Sequence, residues 1–355
     1  NRPKLTDNAG NYYYDQRISF NGEPAVPVEG YATDNYTDWA VEYIRGEGRQ
    51  DGKPWLLWLN YTATHGNFTP APRHDNTVSE DIDVPMPPGI AGSRPGKPAY
   101  IQARRDWVQG EDGRWYTNNR PPRGGEWNAS VKNYHETALG LDDAVGRLVA
   151  TLESTGQLEN TLVIYTSDQG FAWGQHGLQH KMAPYDAALA SPLIFSWPGV
   201  LPGNRVSDTA VSGHDIVPTL FHYAGIELPW QMHGGDISVL IEQPEQDSDH
   251  AVLLAYTGRT YGSDTANLPG PDDPGANGIN WWVSYRQHQY KYVMNLVRGE
   301  IEELYDLEKD PDELRNLALE EHSRTLLNSF REKTLAELRR TECPFVEEVA
   351  AWFAD

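Results

Sequence analysis

The sequence predicts an α/β fold in which a mixed, mainly parallel sheet is flanked by helices and is followed by a small antiparallel sheet with a helix. Two nearly continuous apolar runs, WLLWLNYTA at 55–63 and TLVIY at 161–165, are typical of strands covered on both faces. A long helical pattern at 130–156 precedes the second run, and this order of helix and strand is the arrangement of open α/β sheets. After about residue 236 the apolar runs become short and are separated by turns. We therefore expect two domains, residues 1–235 and 236–355.

The first part of the chain combines regular elements with a long irregular segment. Apolar residues at helical spacing predict a helix over 31–46, with a cap at Thr33 or Asp34 and a stop at Gly46. Residues 70–129 are rich in Pro, Gly and charge and lack sustained periodicity. We expect this segment to be a long excursion over the surface.

The second part contains the longest helix and further strands. A stripe of leucines and valines predicts the helix over 130–156, and SPLIFSWPG predicts another strand. The stretch HDIVPTLFHYAG indicates a short helix that is entered through Pro218 and ends at Gly225. A final helix is expected over 318–341.

Composition and charge exclude several classes of partner. The formal net charge of -22 would repel a nucleic-acid backbone or an anionic membrane surface, so we expect neither to bind. An anionic substrate therefore needs a local basic pocket. The longest apolar runs fall well short of the ~18 residues that a membrane helix needs. The single cysteine, Cys343, excludes an internal disulfide and a cysteine-cluster metal site. The oligomeric state is not predicted.

The segment TSDQGFAWGQHGLQHK, residues 166–181, places polar side chains directly after the strand at 161–165. Open α/β sheets bind ligands beyond the carboxyl ends of their strands. Asp168 and Gln169 offer two hard oxygen donors of the kind that calcium or magnesium binds. An Asp-Gln-Gly sequence at a strand end is also an ordinary turn, so the pair alone does not decide between the two interpretations.

Four further side chains are candidates for handling an anionic substrate. Lys181 is suited to contact an oxyanion as a point charge, and His65, just past the run at 55–63, is suited to donate or transfer a proton. His176 and His180 are candidates for substrate contact or for a supporting position. Taken singly, a solvated lysine and histidines satisfied within loops are equally ordinary interpretations.

Four stretches form an ordered set of motifs: YHETALGLDDAVGRLVATLESTGQLENTLVIYTSDQG, GQHGLQHKMAPYDAALASPLIFSWPG, SGHDIVPTLFHYAGI and EELYDLEKDPDELRNLA. In this order they resemble the sulfatase family of the alkaline-phosphatase-like superfamily. The first is similar to the family's helix that leads into its metal-binding strand, and the last is similar to its C-terminal subdomain. The sequence is thereby identified as a member of this family, and the resemblance implies its mixed α/β fold.

The resemblance implies roles for individual residues. It implies that Asp168 and Gln169 bind a divalent metal, usually calcium, although Asn is commoner than Gln at the second position. It also implies that Lys181 contacts the sulfate oxygens and that His65 faces the scissile ester, where we expect it to protonate the leaving alcohol. Arg73, in the loop after His65, is expected to contact the substrate.

The family's N-terminal motifs do not occur in this sequence. Members carry an aspartate pair, a Cys/Ser-x-Pro-Ser-Arg motif whose first residue becomes formylglycine, and a Lys-Trp-His segment. Ser93 follows His65 and Cys343 lies in the last segment, so neither has the place of the nucleophile. We expect the formylglycine in a part that precedes this chain, which would then be the C-terminal two-thirds of a sulfatase and inactive alone, with an apolar sheet edge exposed. Asp142 and Asp143 fall on the family's helix, where we expect structural roles.

For the intact protein, the resemblance implies hydrolysis of a sulfate ester in a sulfated carbohydrate, of glycosaminoglycan or algal polysaccharide type. Trp281 is a candidate stacking surface for a sugar, although a core position is the simpler interpretation for most of the aromatic residues. We expect a periplasmic or extracellular protein, whose leader would precede this chain. The alternatives are a phosphonate monoester or phosphodiester hydrolase of the same superfamily and a non-catalytic relic that binds glycans.

Overall fold

The computed structural model describes residues 12–79, 82, 84–118, 125–179, 181–270, 275 and 278–353. Its helices are α1 (Ala32–Arg45), α2 (Ala99–Gln102), α3 (Trp127–Ser154), α4 (Asp186–Leu189), α5 (Gly213–Ala224), α6 (Ser238–Glu242), α7 (Arg324–Arg340) and α8 (Val346–Ala351). Its strands are β1 (Tyr14–Ile18), β2 (Val26–Tyr31), β3 (Trp107–Gln109), β4 (Trp115–Thr117), β5 (Val163–Thr166), β6 (Leu193–Ser196), β7 (Ala251–Tyr256), β8 (Trp282–Gln287), β9 (Tyr290–Asn295) and β10 (Glu303–Asp306).

The chain divides into two compact units. The first unit comprises Asn1–Pro85, Gln109–Val163 and Trp197–Val200, and the second comprises Met86–Val108, Ile164–Ser196 and Leu201–Asp355. The domain boundary after residue 235 remains a prediction. None of the helices in the described ranges is long and apolar enough to cross a membrane.

The predicted helix over 31–46 is confirmed as α1, which packs against α3 in the first unit. It ends at Gly46, whose φ of 117° lies in the left-handed region that favours glycine. The predicted cap is wrong, because the N-cap is Tyr31 and its side chain makes no capping hydrogen bond. Thr33 lies inside the helix and is fully buried, and Asp34 is paired with an arginine instead.

The apolar run at 55–63 has no regular secondary structure and forms no strand ladder with any part of the chain that the structure describes. Burial alternates along it: Trp55, Leu57 and Leu59 are half-buried, whereas Leu56 and Trp58 are 69% and 70% exposed. The prediction of a strand covered on both faces is therefore wrong for this structure. A strand needs a hydrogen-bonded neighbour, and the described residues supply none here.

The predicted surface excursion over 70–129 is wrong for its middle part, which lies in the core of the second unit. The Lys97 side chain is 2% exposed, and Nζ donates hydrogen bonds to the Tyr305 hydroxyl and to the Glu313 carbonyl, each at 2.5 Å. The ammonium also lies 4.1 Å and 4.3 Å from the ring centroids of Tyr185 and Tyr305. Long side chains such as that of Lys97 bury this segment, whose regular elements are only three or four residues long, so sustained periodicity could not reveal its burial.

Arg94 holds the same segment together from inside. Its guanidinium donates to four backbone carbonyls, those of Gly89, Ile90, Ile101 and Arg104, at 2.9 to 3.2 Å. The residue is 5% exposed, and burial lowers its pKa. These bonds give buried carbonyls a hydrogen-bond donor, which explains how a largely irregular segment can lie inside a core.

The predicted C-terminal antiparallel sheet is confirmed. Strands β7 to β10 form a four-stranded sheet in the order β10-β9-β8-β7, with every neighbouring pair antiparallel. The core on this sheet includes residues from α7 and α8, so two helices accompany it where one was expected. The regular part of the final helix begins at Arg324, because 317–323 contains two short 3₁₀ turns.

The strands predicted at 161–165 and in SPLIFSWPG are present as β5 and β6. These two strands are hydrogen-bonded neighbours. Helix α5 ends at Gly225 as predicted, with φ of 65°. Its predicted entry through Pro218 is wrong: the helix begins at Gly213, and Ser212 and Asp215 form a capping box across its first turn.

Replacing Leu304 with alanine tests the importance of the C-terminal core. Leu304 is fully buried, so Leu304→Ala should lower the free energy of unfolding by about 2–5 kcal/mol. The control Leu319→Ala removes a side chain that is 61% exposed and should change it by less than about 0.5 kcal/mol. Urea denaturation followed by circular dichroism measures both, and equal effects would contradict this description of the core.

Candidate active site

The turn that follows β5 presents the two predicted metal ligands. Asp168 is exposed and Gln169 is half-buried. The Asp168 carboxylate accepts hydrogen bonds from Ser167 Oγ at 3.4 Å and from Gln169 Nε2 at 3.2 Å. No lysine, arginine or histidine within the described ranges forms an ion pair with Asp168. Its negative charge therefore remains available for a cation.

The glycine after these residues has no room for a side chain. A Cβ built on Gly170 would lie 2.7 Å from the Ala190 carbonyl oxygen and 2.8 Å from that of Ala187. Real Cβ atoms do not approach backbone oxygens so closely, so only glycine lets the turn pack against α4. The predicted ligand pair thus lies on a turn that packs closely against α4.

The donor chemistry of the turn fits a hard divalent cation as part of a coordination shell. A carboxylate and an amide carbonyl are ligands that Ca²⁺ prefers, but Ca²⁺ takes roughly six to eight oxygens. Among the described residues no group of three or more His, Cys, Asp or Glu could hold a metal ion. Gln169 donates its amide nitrogen to Asp168 at 3.2 Å, so its amide must turn before both residues can offer oxygens to one ion.

Lys181 follows the same turn in the second unit. The side chain is half-buried, and it forms no ion pair or hydrogen bond with any other residue that the structure describes. An ammonium in this state can contact an anion without first breaking an ion pair. His180, the neighbouring candidate, lies outside the described residues.

His176 is 2% exposed, and its ring centroid lies 4.0 Å from that of Tyr185. Burial, followed by repulsion from Lys97, Lys291 and Arg94, lowers the pKa of His176 well below its ordinary value, so the ring is neutral. Within the described residues its Nδ1 has no hydrogen-bond partner. A substrate could reach His176 only after rearrangement, and its role in substrate contact stays a prediction.

Trp281 is 7% exposed and belongs to the hydrophobic core beside the C-terminal sheet. This position agrees with the core interpretation that the sequence offered for most aromatic residues. Sugar stacking by Trp281 remains a prediction to which its burial gives no support.

His65 is exposed in the first unit, on a loop whose backbone is held in place. Its N–H donates to the Thr62 carbonyl at 2.8 Å, and its own carbonyl accepts a hydrogen bond from the Tyr13 hydroxyl at 2.5 Å. The imidazole lies 4.5 Å from the Tyr12 ring, centroid to centroid. Burial and then repulsion from neighbouring tyrosines raise the pKa of Tyr13, so its hydroxyl remains a donor. The contacts of Tyr12 and Tyr13 with His65 were not predicted, because NYYYD carries no catalytic motif.

Arg73 is fully engaged by two carboxylates of the first unit. Its Nη1 and Nη2 donate to Asp34 at 2.8 and 2.9 Å, and Nε donates to Asp143 at 2.7 Å. Hydrogen bonding to Asp34 first, and then to Asp143, raises the pKa of Arg73 above its ordinary value. The pairing ties the loop after His65 to α1 and α3, which agrees with the structural role expected of Asp143. Substrate contact by Arg73 stays a prediction.

Comparison with known proteins gives the context of these residues. A curated N-acetylglucosamine-6-O-sulfatase from Bacteroides thetaiotaomicron is 25% identical over an alignment of 354 residues. This alignment covers 86% of this chain and 61% of that protein. The chain therefore spans about three-fifths of the length of this relative.

Solved structures share the fold at lower identity. A structure described as a complex with its substrate D-glucosamine-2-N,6-O-disulfate has a TM-score of 0.73 at 22% identity and covers 94% of this chain and 74% of the other. A phosphonate monoester hydrolase of Agrobacterium radiobacter has a TM-score of 0.66 at 24% identity and covers 88% of this chain and 62% of the other.

A family model also matches the chain. The sulfatase family model matches residues 3–226, which is well over half of the sequence. Together with the α/β fold that the chain shares with these structures, this match confirms the resemblance seen in the motifs. The chain belongs to the sulfatase family and has its alkaline-phosphatase-like α/β fold.

Proposed function

We propose that this chain forms part of a sulfuric ester hydrolase that removes sulfate from a sulfated carbohydrate of glycosaminoglycan or algal polysaccharide type. The observation that carries the proposal is the segment after β5. It presents an exposed carboxylate and an amide on a fixed turn, followed by Lys181, whose ammonium has no partner among the described residues. This combination supports binding of a cation and an anionic ester by one short segment.

The charge of the chain makes such local cations necessary. A formal net charge of -22 opposes the approach of any sulfate ester, so a positive centre must offset it at short range. Asp168 and Gln169 would hold a divalent cation, for which hard oxygen donors favour Ca²⁺. When bound, this ion supplies positive charge that stabilises the sulfuryl oxygens. Lys181 supplies a second positive charge to the same oxygens.

His65 is proposed to protonate the leaving alcohol. Its side chain is exposed while its backbone is held by Tyr13 and Thr62, which suits a group that must meet a substrate in a fixed orientation. The attacking group in this family is a formylglycine, which we propose lies in a part of the protein that precedes this chain. The chain alone would then lack a nucleophile.

The substrate class is supported by the names of similar proteins. The curated relative is an N-acetylglucosamine-6-O-sulfatase, and the solved structure with the TM-score of 0.73 holds a sulfated glucosamine. A sulfated amino sugar is therefore the first substrate to test. We propose a periplasmic or extracellular location, because sulfated polysaccharides of this type are encountered outside the cytoplasm.

A phosphonate monoester or phosphodiester hydrolase is the second candidate, since such an enzyme shares the fold with a TM-score of 0.66. The test compares kcat/KM of the intact protein for N-acetylglucosamine-6-sulfate, an aryl sulfate and an aryl phosphodiester. The proposal expects sulfate esters to react faster. A preference for the phosphodiester would select the second candidate, and glycan binding without any hydrolysis would indicate a non-catalytic relic.

Asp168→Asn tests the metal ligand. The variant removes a negative charge from the turn, so the Kd for Ca²⁺ should rise by at least about tenfold, which corresponds to about 1.4 kcal/mol. Isothermal titration calorimetry on the intact protein measures this affinity. Asp142→Asn is the matched control, because Asp142 is an exposed aspartate on α3 and should not affect it. Equal affinities of the two variants would reject Asp168 as a ligand.

His65→Gln tests the proton donor. An alkyl sulfate has a poor leaving group, so its kcat/KM should fall by roughly 10²- to 10⁴-fold, whereas an activated aryl sulfate should lose far less. The control His74→Gln alters a histidine whose Nε2 lies 2.7 Å from Asp143, and it should affect both substrates by the same factor. If His65→Gln also reduced both rates equally, His65 would not be the acid.

A further inference from the structure

Helix α4 begins within a set of buried ion pairs in the second unit. The Asp186 backbone N–H donates to Glu313 Oε2 at 2.7 Å. The Lys291 ammonium lies 2.8 Å from Asp186 Oδ1 and 2.6 Å from Glu313 Oε1. Arg286 adds a contact of 3.1 Å to Asp186 Oδ2. The first residue of α4 is therefore fixed by side chains from β8, from β9 and from the turn that carries Glu313.

Lys291 and Asp186 stay charged although they are largely withdrawn from solvent, whereas burial raises the pKa of Glu313 and attraction to Lys291 opposes that rise. Lys291 and Glu313 are each 1% exposed. Burial alone would lower the pKa of Lys291, but attraction to Glu313 and Asp186 holds it above its ordinary value. Burial would likewise raise the pKa of Asp186, but Lys291 holds it below its ordinary value. Removing one partner would leave a buried charge without compensation, so the set acts as a unit.

A second anchor holds the residue before the helix. Tyr185, the N-cap residue, is fully buried, and its hydroxyl donates to Glu303 Oε2 at 2.8 Å. Its ring also lies against the Lys97 ammonium at 4.1 Å. The start of α4 consequently has two attachments to the C-terminal part of the chain.

The other end of α4 supports the proposed metal ligands. The Ala187 and Ala190 carbonyl oxygens lie so close to Gly170 that a Cβ there would be 2.8 and 2.7 Å away. Gly170 follows Gln169 directly. Any displacement of α4 must therefore move Gly170 or open a gap beside it, and either change alters the turn that carries Asp168 and Gln169.

We propose that α4 is a positioning element through which Lys291 and Glu313 hold the Asp168–Gln169 turn in place. Neither residue touches the ligand pair, so both are positioning residues and not catalytic residues. The inference rests on the proposed function for the identity of the turn as a metal site. The packing that it describes can be tested without metal.

The test uses two variants with matched controls. Lys291→Met removes the buried charge, and Lys309→Met removes a lysine of the same subdomain that is 75% exposed and paired with Asp306 at 2.7 Å. Gly170→Ala disturbs only the contact with α4, and its control is Gly203→Ala, because a Cβ at Gly203 would meet nothing within 4 Å. If Lys291→Met does not fold, Gly170→Ala still decides the question.

Two measurements are made on each variant. Hydrogen exchange of residues 166–170, followed by mass spectrometry without metal, should be faster in Lys291→Met and Gly170→Ala than in their controls. The Kd for Ca²⁺ of the intact protein should rise about tenfold in the same two variants, as for residues that orient metal ligands. The thermal unfolding temperature of each variant is measured as well, and it identifies variants whose only change is a loss of stability.

The outcomes separate this inference from the proposed function. Folded variants with unchanged exchange and unchanged Ca²⁺ affinity would overturn the inference, even if their unfolding temperature fell. Faster exchange in an intact protein that binds no Ca²⁺ would uphold the positioning by α4 and overturn the proposed metal site. Changes in both measurements, confined to Lys291→Met and Gly170→Ala, would support both.

Discussion

Two buried lysines set the constraint on which the second unit depends. Lys97 and Lys291 are 2% and 1% exposed, and a buried ammonium is tolerated only where carboxylates, carbonyls or aromatic faces surround it. Lys97 donates hydrogen bonds to the Tyr305 hydroxyl and the Glu313 carbonyl, and its ammonium also lies against two tyrosine rings. Lys291 forms ion pairs with the carboxylates of Asp186 and Glu313. Because Glu313 serves both lysines, the irregular segment around Lys97 and the helix α4 share one anchor.

This constraint reaches the candidate site through backbone packing. Helix α4 is too short to be stable alone, so its position follows from the charges at its start and the contacts along it. Gly170 fits against it without a Cβ, and Asp168 and Gln169 extend from that contact point. Rigid support of this kind lets an exposed carboxylate keep one orientation, and metal ligands need such support.

The sequence predicted the elements that have their own periodicity or motif. Helix α1, the C-terminal antiparallel sheet and the turn at Asp168 all appear where they were expected. It did not predict the burial of Lys97, because a lysine in a Pro- and Gly-rich segment is ordinarily expected to be exposed to solvent. It also could not predict that Arg73 is paired with two carboxylates or that His176 is buried, since both facts depend on residues distant in sequence. The run at 55–63 was misjudged because an apolar run does not show whether the residues that would pair with it and cover both its faces are present.

The most direct test of the account is a crystal structure of the intact protein with Ca²⁺ and a sulfate ester, in which anomalous scattering locates the metal. The account predicts a calcium ion within about 2.3–2.6 Å of oxygens from Asp168 and Gln169. It also predicts that the Lys181 ammonium contacts the sulfate. A calcium ion bound elsewhere, with Lys181 surrounded by water, would contradict it.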